Sequence, residues 1–537
     1  MKSKILTPIL EKLKAIDKRR LLSAGVYSAL IFLMLASFWN ARIFPSDEAE
    51  IFMHGQSIAN GKILYREIAS QHMPLMYYIA AFFSLLGAKT VLAFRLCFFG
   101  LTALIYGAIY FFYSKRLSRI GVMLFPIIYI LTLPGIEFGS CILSDQFQGI
   151  GMAILFLEFL SFTKTHELSV GSCIAISAAI LLSFGSAFVS IFAIFVMFVT
   201  VLAFDLSAIG KHRPECNKTA KAVLVKYARL VGIVLIPLAV IALAILCSGA
   251  IVDFFYWAYK VNIDIYPKYN HYSASVLENI FIGFRRIFNY FANFNYGAID
   301  AGDVLNFAII FLTIVYLLKV SKGRGGLIKL AGSAIFISAC ATRGLFDYHG
   351  TPAVSVMALC AALAVGEFIE DHPLKKPATA AAAAIMAVIV ASPFCTNVLP
   401  NLTKMDYKQD VMEFQSDLSA SYIDAITEEG ERVGFSTLDC HVLVLSGTIP
   451  ASNQGGSVPW FWEAGGEQAM RELTEDPPRV FLYYPELNIW GYSMRSYAPD
   501  LVQFIESNYT MIGRGTVTVW VLNSYYDEAM QKIDAMK

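Results

Sequence analysis

Long apolar runs constrain this chain more than any other feature. A helix needs about 20 mostly apolar residues to cross a bilayer. Runs near that length recur at residues 21–39, 91–113, 120–136, 149–162, 168–184, 186–204, 230–250, 303–319, 328–342, 352–369 and 378–395. Inside lipid the backbone must satisfy its own hydrogen bonds, so each run is expected to fold as a helix. Only 15% of the 537 residues are charged, against roughly 25% in soluble domains, and the mean hydropathy is +0.58. These values exclude a disordered chain, a nucleic-acid binder and an ordinary cytosolic enzyme. They imply an all-α polytopic membrane protein with about 11 transmembrane helices. The nine cysteines form no CxxC pair, and Cys97, Cys173, Cys247, Cys340 and Cys360 lie in apolar runs, where Cys acts as a small hydrophobe. The first run lacks a small-residue cleavage site and reads as a signal anchor.

One further run, 74–88, is aromatic and opens at Pro74. At about 1.5 Å per residue it is too short to span comfortably. Charge decides its place. If it does not cross and the N-terminus is cytoplasmic, the inner segments are 1–20, 114–119, 163–167, 205–229, 319–329 and 370–376. They hold 23 Lys and Arg, more than twice the number in the outer segments before residue 396. If it did cross, 16 of those would lie outside, against the positive-inside rule. The expected organisation is therefore a basic cytoplasmic segment 1–20, a transmembrane domain 21–395 with outer loops 40–90 and 251–302, and an extracytoplasmic domain 396–537. Segment 74–88 lies on the outer face as an interfacial or re-entrant helix.

The tail 396–537 carries 20 Asp and Glu but only 9 Lys and Arg. A helix-like stretch at 407–429 precedes strand-like runs at 432–436, 479–484, 510–513 and 516–523, with a helix-like 497–507 among them. This pattern predicts a small α/β domain. In the second outer loop, 276–296 reads as an amphipathic helix in the interface, with Arg285 and Arg286 among aromatics.

Few residues are placed to carry chemistry. Asp47 and Glu48 follow the first span, where adjacent carboxylates are costly unless solvated or used. A solvated loop and a functional site weigh evenly on those residues alone. Glu50 reads as a solvated helix charge. Asp145 lies in SCILSDQFQG before the fourth span, where it or Ser144 could simply cap the helix. His349 lies in RGLFDYHGTPAV with Arg343, Asp347 and Tyr348; interfacial aromatics with a snorkelling charge are the alternative. Tyr266, Lys268, Tyr269, His271 and Tyr272 offer aromatic platforms and cations in the second loop, though membrane interfaces favour such residues anyway.

The stretch from Asp47 to Arg95 resembles the first outer loop of the GT-C glycosyltransferases. These polytopic enzymes use polyprenyl-phosphate sugars and include the protein O-mannosyltransferases and the lipid A aminoarabinose transferase. The resemblance rests on Asp47-Glu48, Gly61, Leu64-Tyr65, Pro74-Leu75, Tyr77, Gly87 and Arg95, in that order over about 50 residues. Asp145, the Tyr348-His349 element and the appended tail fit the same pattern. Several relatives place a lysine directly before the proline; this chain has His72-Met73-Pro74, so that phosphate-binding lysine is not carried over.

The resemblance implies a GT-C-like bundle and an integral membrane glycosyltransferase. Such an enzyme moves a hexosyl or pentosyl group from an undecaprenyl- or dolichyl-phosphate donor to an acceptor hydroxyl on an extracytoplasmic glycan, lipid or protein, inverting the anomeric centre. Asp47 is the implied base, with Glu48 or Asp145 assisting in acceptor orientation. Arg343, His349, Tyr348, Tyr65, His72, Arg285 and Arg286 are the implied substrate and phosphate ligands. No cofactor is certain; a divalent cation shared by Asp47 and Asp145 stays open, since hard cations take carboxylates from separate loops. The implied partners are the donor, the acceptor and membrane lipid, with no nucleic acid. The rival class is a transporter or flippase of a lipid-linked or small-molecule substrate, which would place ionisable groups mid-membrane and often show repeated halves. No repeat is visible, and Glu158 is the chief intramembrane charge.

Overall fold

A computed structural model describes residues 17–38, 46–136, 138–207, 220–270, 301–341, 347–372, 418–436, 440–454, 457–514 and 518–535, with a few isolated positions between them. The expected spans become the helices Lys18–Ala36, Val91–Tyr113, Arg119–Thr132, Ser144–Thr165, Val170–Phe184, Ser190–Leu206, Ala220–Cys247, Ala301–Val320, Gly326–Ala339 and Thr351–Asp371. The expected span 378–395 lies outside the described residues apart from isolated positions. Among the described residues, five helices are long and apolar enough to cross a membrane, and shorter apolar helices accompany them. The protein is thus an integral, multi-pass membrane protein.

Several helix starts are set locally. Thr90, Ser118 and Ser169 accept from the backbone N–H of Ala93, Gly121 and Ser172, satisfying donors that the first turn leaves open. Ser144–Thr165 and the helix ending at Asp371 are mostly buried, whereas Leu230–Cys247 is largely exposed. In lipid that exposed apolar face is matched to its solvent. Between helices, close backbone approach replaces the hydrophobic effect: a Cβ on Gly366 would lie 2.1 Å from the Gly121 nitrogen. Glu158 is buried, but Tyr113 donates to it at 2.6 Å and Arg116 at 3.3 Å, so this intramembrane carboxylate is paired.

The segment 74–88 forms the 11-residue helix Leu75–Leu85. It starts where the Leu75 N–H donates to the Gly185 carbonyl at 2.9 Å. It packs tightly on the helix Ser46–Ala59: a Cβ on Gly55 would fall 2.4 Å from the Ala80 Cβ.

The tail forms a five-stranded sheet in the order β2-β1-β3-β7-β6. Its strands are β1 (Arg432–Phe435), β2 (Ile449–Pro450), β3 (Val480–Tyr483), β6 (Tyr509–Arg514) and β7 (Thr518–Leu522), with a separate hairpin of β4 (Asn488–Ile489) and β5 (Tyr492–Ser493). β2, β1 and β3 run parallel, and β3, β7 and β6 antiparallel. The helices Leu418–Ile426, His441–Ser446, Pro459–Glu475, Pro499–Asn508 and Tyr526–Asp534 complete this region. Of the expected helix 407–429, Leu418–Ile426 is described.

Candidate active site

The acidic cluster after the first span lies on the helix Ser46–Ala59. Each residue turns a helix by about 100°, so neighbours in sequence face different directions while residues four apart share a face. Asp47 is half-buried and accepts a hydrogen bond from the Tyr348 hydroxyl at 2.7 Å. Tyr348 is buried in the turn Asp347–Gly350, 301 positions further along the chain. Its ring lies 5.9 Å from Phe138 and 4.5 Å, edge-on, from half-buried His349. The fold thus brings together three of the residues singled out in the sequence.

Glu48 faces inward and is fully buried. Arg95 grips it through Nε at 2.9 Å and Nη2 at 2.5 Å, and the Ile142 N–H donates to Oε1 at 2.9 Å. This forked, charge-assisted geometry is the strong form of the pair. It ties the loop helix, the second span and the loop before Asp145 to one carboxylate. Asp145 is buried in the first turn of Ser144–Thr165, whose N-cap is Leu143 with no side-chain cap. The capping alternative is therefore not the one the chain adopts. The helix dipole still favours a carboxylate there.

Glu50 corrects the sequence expectation of a solvated charge. Its carboxylate accepts from the Tyr77 hydroxyl at 2.6 Å and from Ser70 at 3.3 Å. His54 and His72 approach it through Nδ1 at 3.5 Å and 3.8 Å. Tyr77 also contacts Ser70 at 2.7 Å and His72 Nδ1 at 3.2 Å. Burial pushes the Glu50 carboxyl up, but His72, then His54 and the two hydroxyls, outweigh it and hold the group below its ordinary value. Burial also pulls His54 down to about 4, with Glu50 opposing. The i,i+4 spacing of Glu50 and His54 was the available signal for this network, and sequence reasoning missed it.

Tyr65 is buried with φ at 69°, and its hydroxyl donates to the His72 carbonyl at 2.9 Å. A bulky residue at positive φ is held only by its surroundings; here the Tyr65 N–H donates to Ile68 at 2.8 Å. His72 is partly exposed. The tail clamps the same loop: the Ala69 N–H donates to Asn453 at 2.6 Å, and Lys62 Nζ to the Pro450 carbonyl at 2.5 Å. From the second loop, Asn262 Nδ2 donates to the Gln71 carbonyl at 2.7 Å. Asn262 lies in a π-helix, Phe255–Ile265, which sequence periodicity did not predict.

Arg343, Arg285 and Arg286 lie outside the described residues, as does the expected interfacial helix 276–296 apart from isolated positions. Among the described residues, no group of three His, Cys, Asp or Glu side chains gathers that could hold a metal ion. Among the described residues, Asp47 and Asp145 form no such set with a neighbour.

A polytopic helical bundle, a loop folded as two short helices against it and a small appended α/β sheet together make an ArnT-like fold. The chain is similar to ArnT from Cupriavidus metallidurans, whose crystal structure contains bound undecaprenyl phosphate. The likeness covers 92% of this chain and 97% of that one, with a TM-score of 0.57 and 12% sequence identity. At that identity it is a likeness of fold. No protein-family model matches the chain, and no curated protein sequence does.

Proposed function

We propose that the protein is a glycosyltransferase that moves a sugar from a polyprenyl-phosphate donor to an acceptor hydroxyl, with inversion, on the extracytoplasmic side. The observation that carries the reading is the Asp47–Tyr348 hydrogen bond, 2.7 Å long, on the loop helix of an ArnT-like fold. The acceptor oxygen forms its bond to the anomeric carbon as the bond from that carbon to the phosphate oxygen breaks. The polyprenyl phosphate leaves with the electron pair. An alcohol is a weak nucleophile, and Asp47 takes its proton as general base. The Tyr348 hydroxyl occupies Oδ2, which fixes the carboxylate in place. The other oxygen, Oδ1, receives the proton.

Glu48 is a positioning residue in this scheme, because Arg95 and the Ile142 amide engage both of its oxygens. Asp145 orients the acceptor from the first helical turn after the loop that Glu48 holds. His349, beside Tyr348, His72 and the arginines 343, 285 and 286 supply positive charge to the leaving phosphate, as charge developing on a leaving group requires. Tyr65 acts through the His72 backbone. The undecaprenyl phosphate bound by ArnT supports a polyprenyl carrier.

The sidedness follows from the basic residues: 1–20 and 205–229 inside, loop 40–90 and 396–537 outside. A cysteine at position 420 should label from outside intact cells and one at 215 should not; the reverse pattern refutes this orientation. The activity is tested with purified protein in nanodiscs, a labelled polyprenyl-phosphate sugar and anomeric analysis of the product. No transfer to any glycan, lipid or peptide hydroxyl would refute the reaction.

A further inference from the structure

The hairpin β4–β5 turns through two residues, Trp490 and Gly491, since Ile489 pairs with Tyr492. Both have positive φ, 52° and 92°, the signature of a type I′ turn. That turn favours Asn, Asp or Gly at its first position because they tolerate the left-handed region. A tryptophan there is strained, and such strain marks a position kept for its side chain rather than for its backbone. Trp490 is 40% exposed even though its ring stacks on buried Trp460 at 4.9 Å and 20°. Tyr266, from the second long loop, stands 5.1 Å edge-on to Trp460 and 6.0 Å from Trp490. Hydrogen-bonding groups border the cluster. Lys268 pairs with Glu463, and the Tyr269 hydroxyl donates to Glu463 at 2.7 Å, with the Tyr269 ring 5.1 Å from Tyr492.

We infer that the Trp490–Trp460–Tyr266 cluster is a platform for a pyranose ring of a glycan. The C–H face of a pyranose is apolar with a slight positive charge, which suits the electron-rich face of an indole. Its equatorial hydroxyls need donors and acceptors at the edge, which Glu463, Lys268 and Tyr269 provide. The platform is also tied to the candidate active site. Tyr266 directly follows the π-helix whose Asn262 holds the Gln71 carbonyl, one residue before His72. Naming the ring as part of the acceptor rests on the transferase reading; sugar binding itself does not.

The test uses the full chain in nanodiscs and saturation-transfer NMR with maltotetraose, cellotetraose and chitotetraose as probes. The parent should bind at least one of them, with saturation concentrated on ring C–H protons. Trp490→Asn places a residue that the turn favours, so the thermal midpoint should hold or rise while binding weakens by about tenfold or more. Trp490→Phe should keep most of the binding. Absence of saturation transfer from all three sugars, or equal affinity in Trp490→Asn, would overturn the platform. Binding of labelled polyprenyl-phosphate sugar in the same samples should not change in Trp490→Asn. A parent chain that binds oligosaccharide but transfers no sugar leaves the platform standing and removes the transferase reading. Transfer with an unchanged acceptor KM in Trp490→Asn does the opposite.

Discussion

The helical bundle and the layer of loops and sheet attached to it hold their polar groups in opposite ways. In the bundle, hydroxyls mostly bond within their own helix: Ser183 to Ala179 at 2.8 Å, Thr200 to Val196 at 2.7 Å, Thr313 to Ile309 at 2.7 Å. In the attached layer, the bonds join distant parts of the chain: Asp47 to Tyr348, Ala69 to Asn453, Lys62 to Pro450, Tyr256 to Ala464. Lipid punishes any unmet polar group, so spans settle their hydrogen bonds locally. The loops have no such constraint and are ordered by one another. The half-buried carboxylate of Asp47 is held in the second region, across 301 positions of chain, and the first serves as its frame.

Five experiments break or sharpen that contrast. The largest effect is expected at Asp47. Asp47→Asn keeps the shape but removes the proton acceptor, so turnover should fall by about 10²–10⁴-fold with donor binding and thermal midpoint intact. Near-parental turnover would remove Asp47 as the base and favour the transporter reading. Glu48→Gln, one residue on, should behave oppositely: it strands Arg95 in the interior and should cost about 3–5 kcal/mol of stability, read by unfolding in detergent. A double change to Leu at positions 48 and 95 should recover much of that loss, whereas a purely catalytic role would show no stability effect.

Tyr348→Phe removes the bond that orients Asp47. A hydrogen bond to a charged group is worth about 1.5–3 kcal/mol, so a loss of about tenfold or more in turnover is expected, with little change in melting. Unchanged turnover would separate the two residues functionally. Acidification should weaken the loop layer before the bundle. The folded state depresses the His54 pKa from 6.5 to about 4. Its stabilising contribution is therefore full above 6.5 and is lost as pH falls through about 4. Glu50, held below its ordinary value of 4.5, adds a loss in the same direction at lower pH. His54→Gln should flatten the melting profile between pH 6.5 and 4; an unaltered slope would exclude His54 as its source. The smallest effect belongs to Lys89 and Glu429, an exposed pair at 2.6 Å. Lys89→Ala should change stability by less than about 1 kcal/mol, and a larger loss would mean that this junction of loop and tail carries more than a surface contact.

How far each region could be read from the residues follows the same divide. The spans, the short helix at 75–85 and the tail strands β1, β3, β6 and β7 were predictable because each is coded by local hydropathy and its period. β2 has two residues, and Pro459–Glu475 breaks helical geometry at Gly465, so neither shows a clean period. At the site, Asp47, Tyr348 and His349 were legible as residues but their meeting was not. Glu50 looked like a solvated charge because its partners Ser70, His72 and Tyr77 come from a later turn and helix.

The sequence by itself therefore determined a multi-pass bundle with a small α/β tail, since lipid compatibility is a property of each segment alone. Tertiary structure decided which of three nearby carboxylates is clasped by Arg95, which is networked with two histidines and which stands half-buried under a tyrosine hydroxyl. Those choices depend on what lies opposite each face of one short helix, and nothing within the helix specifies that.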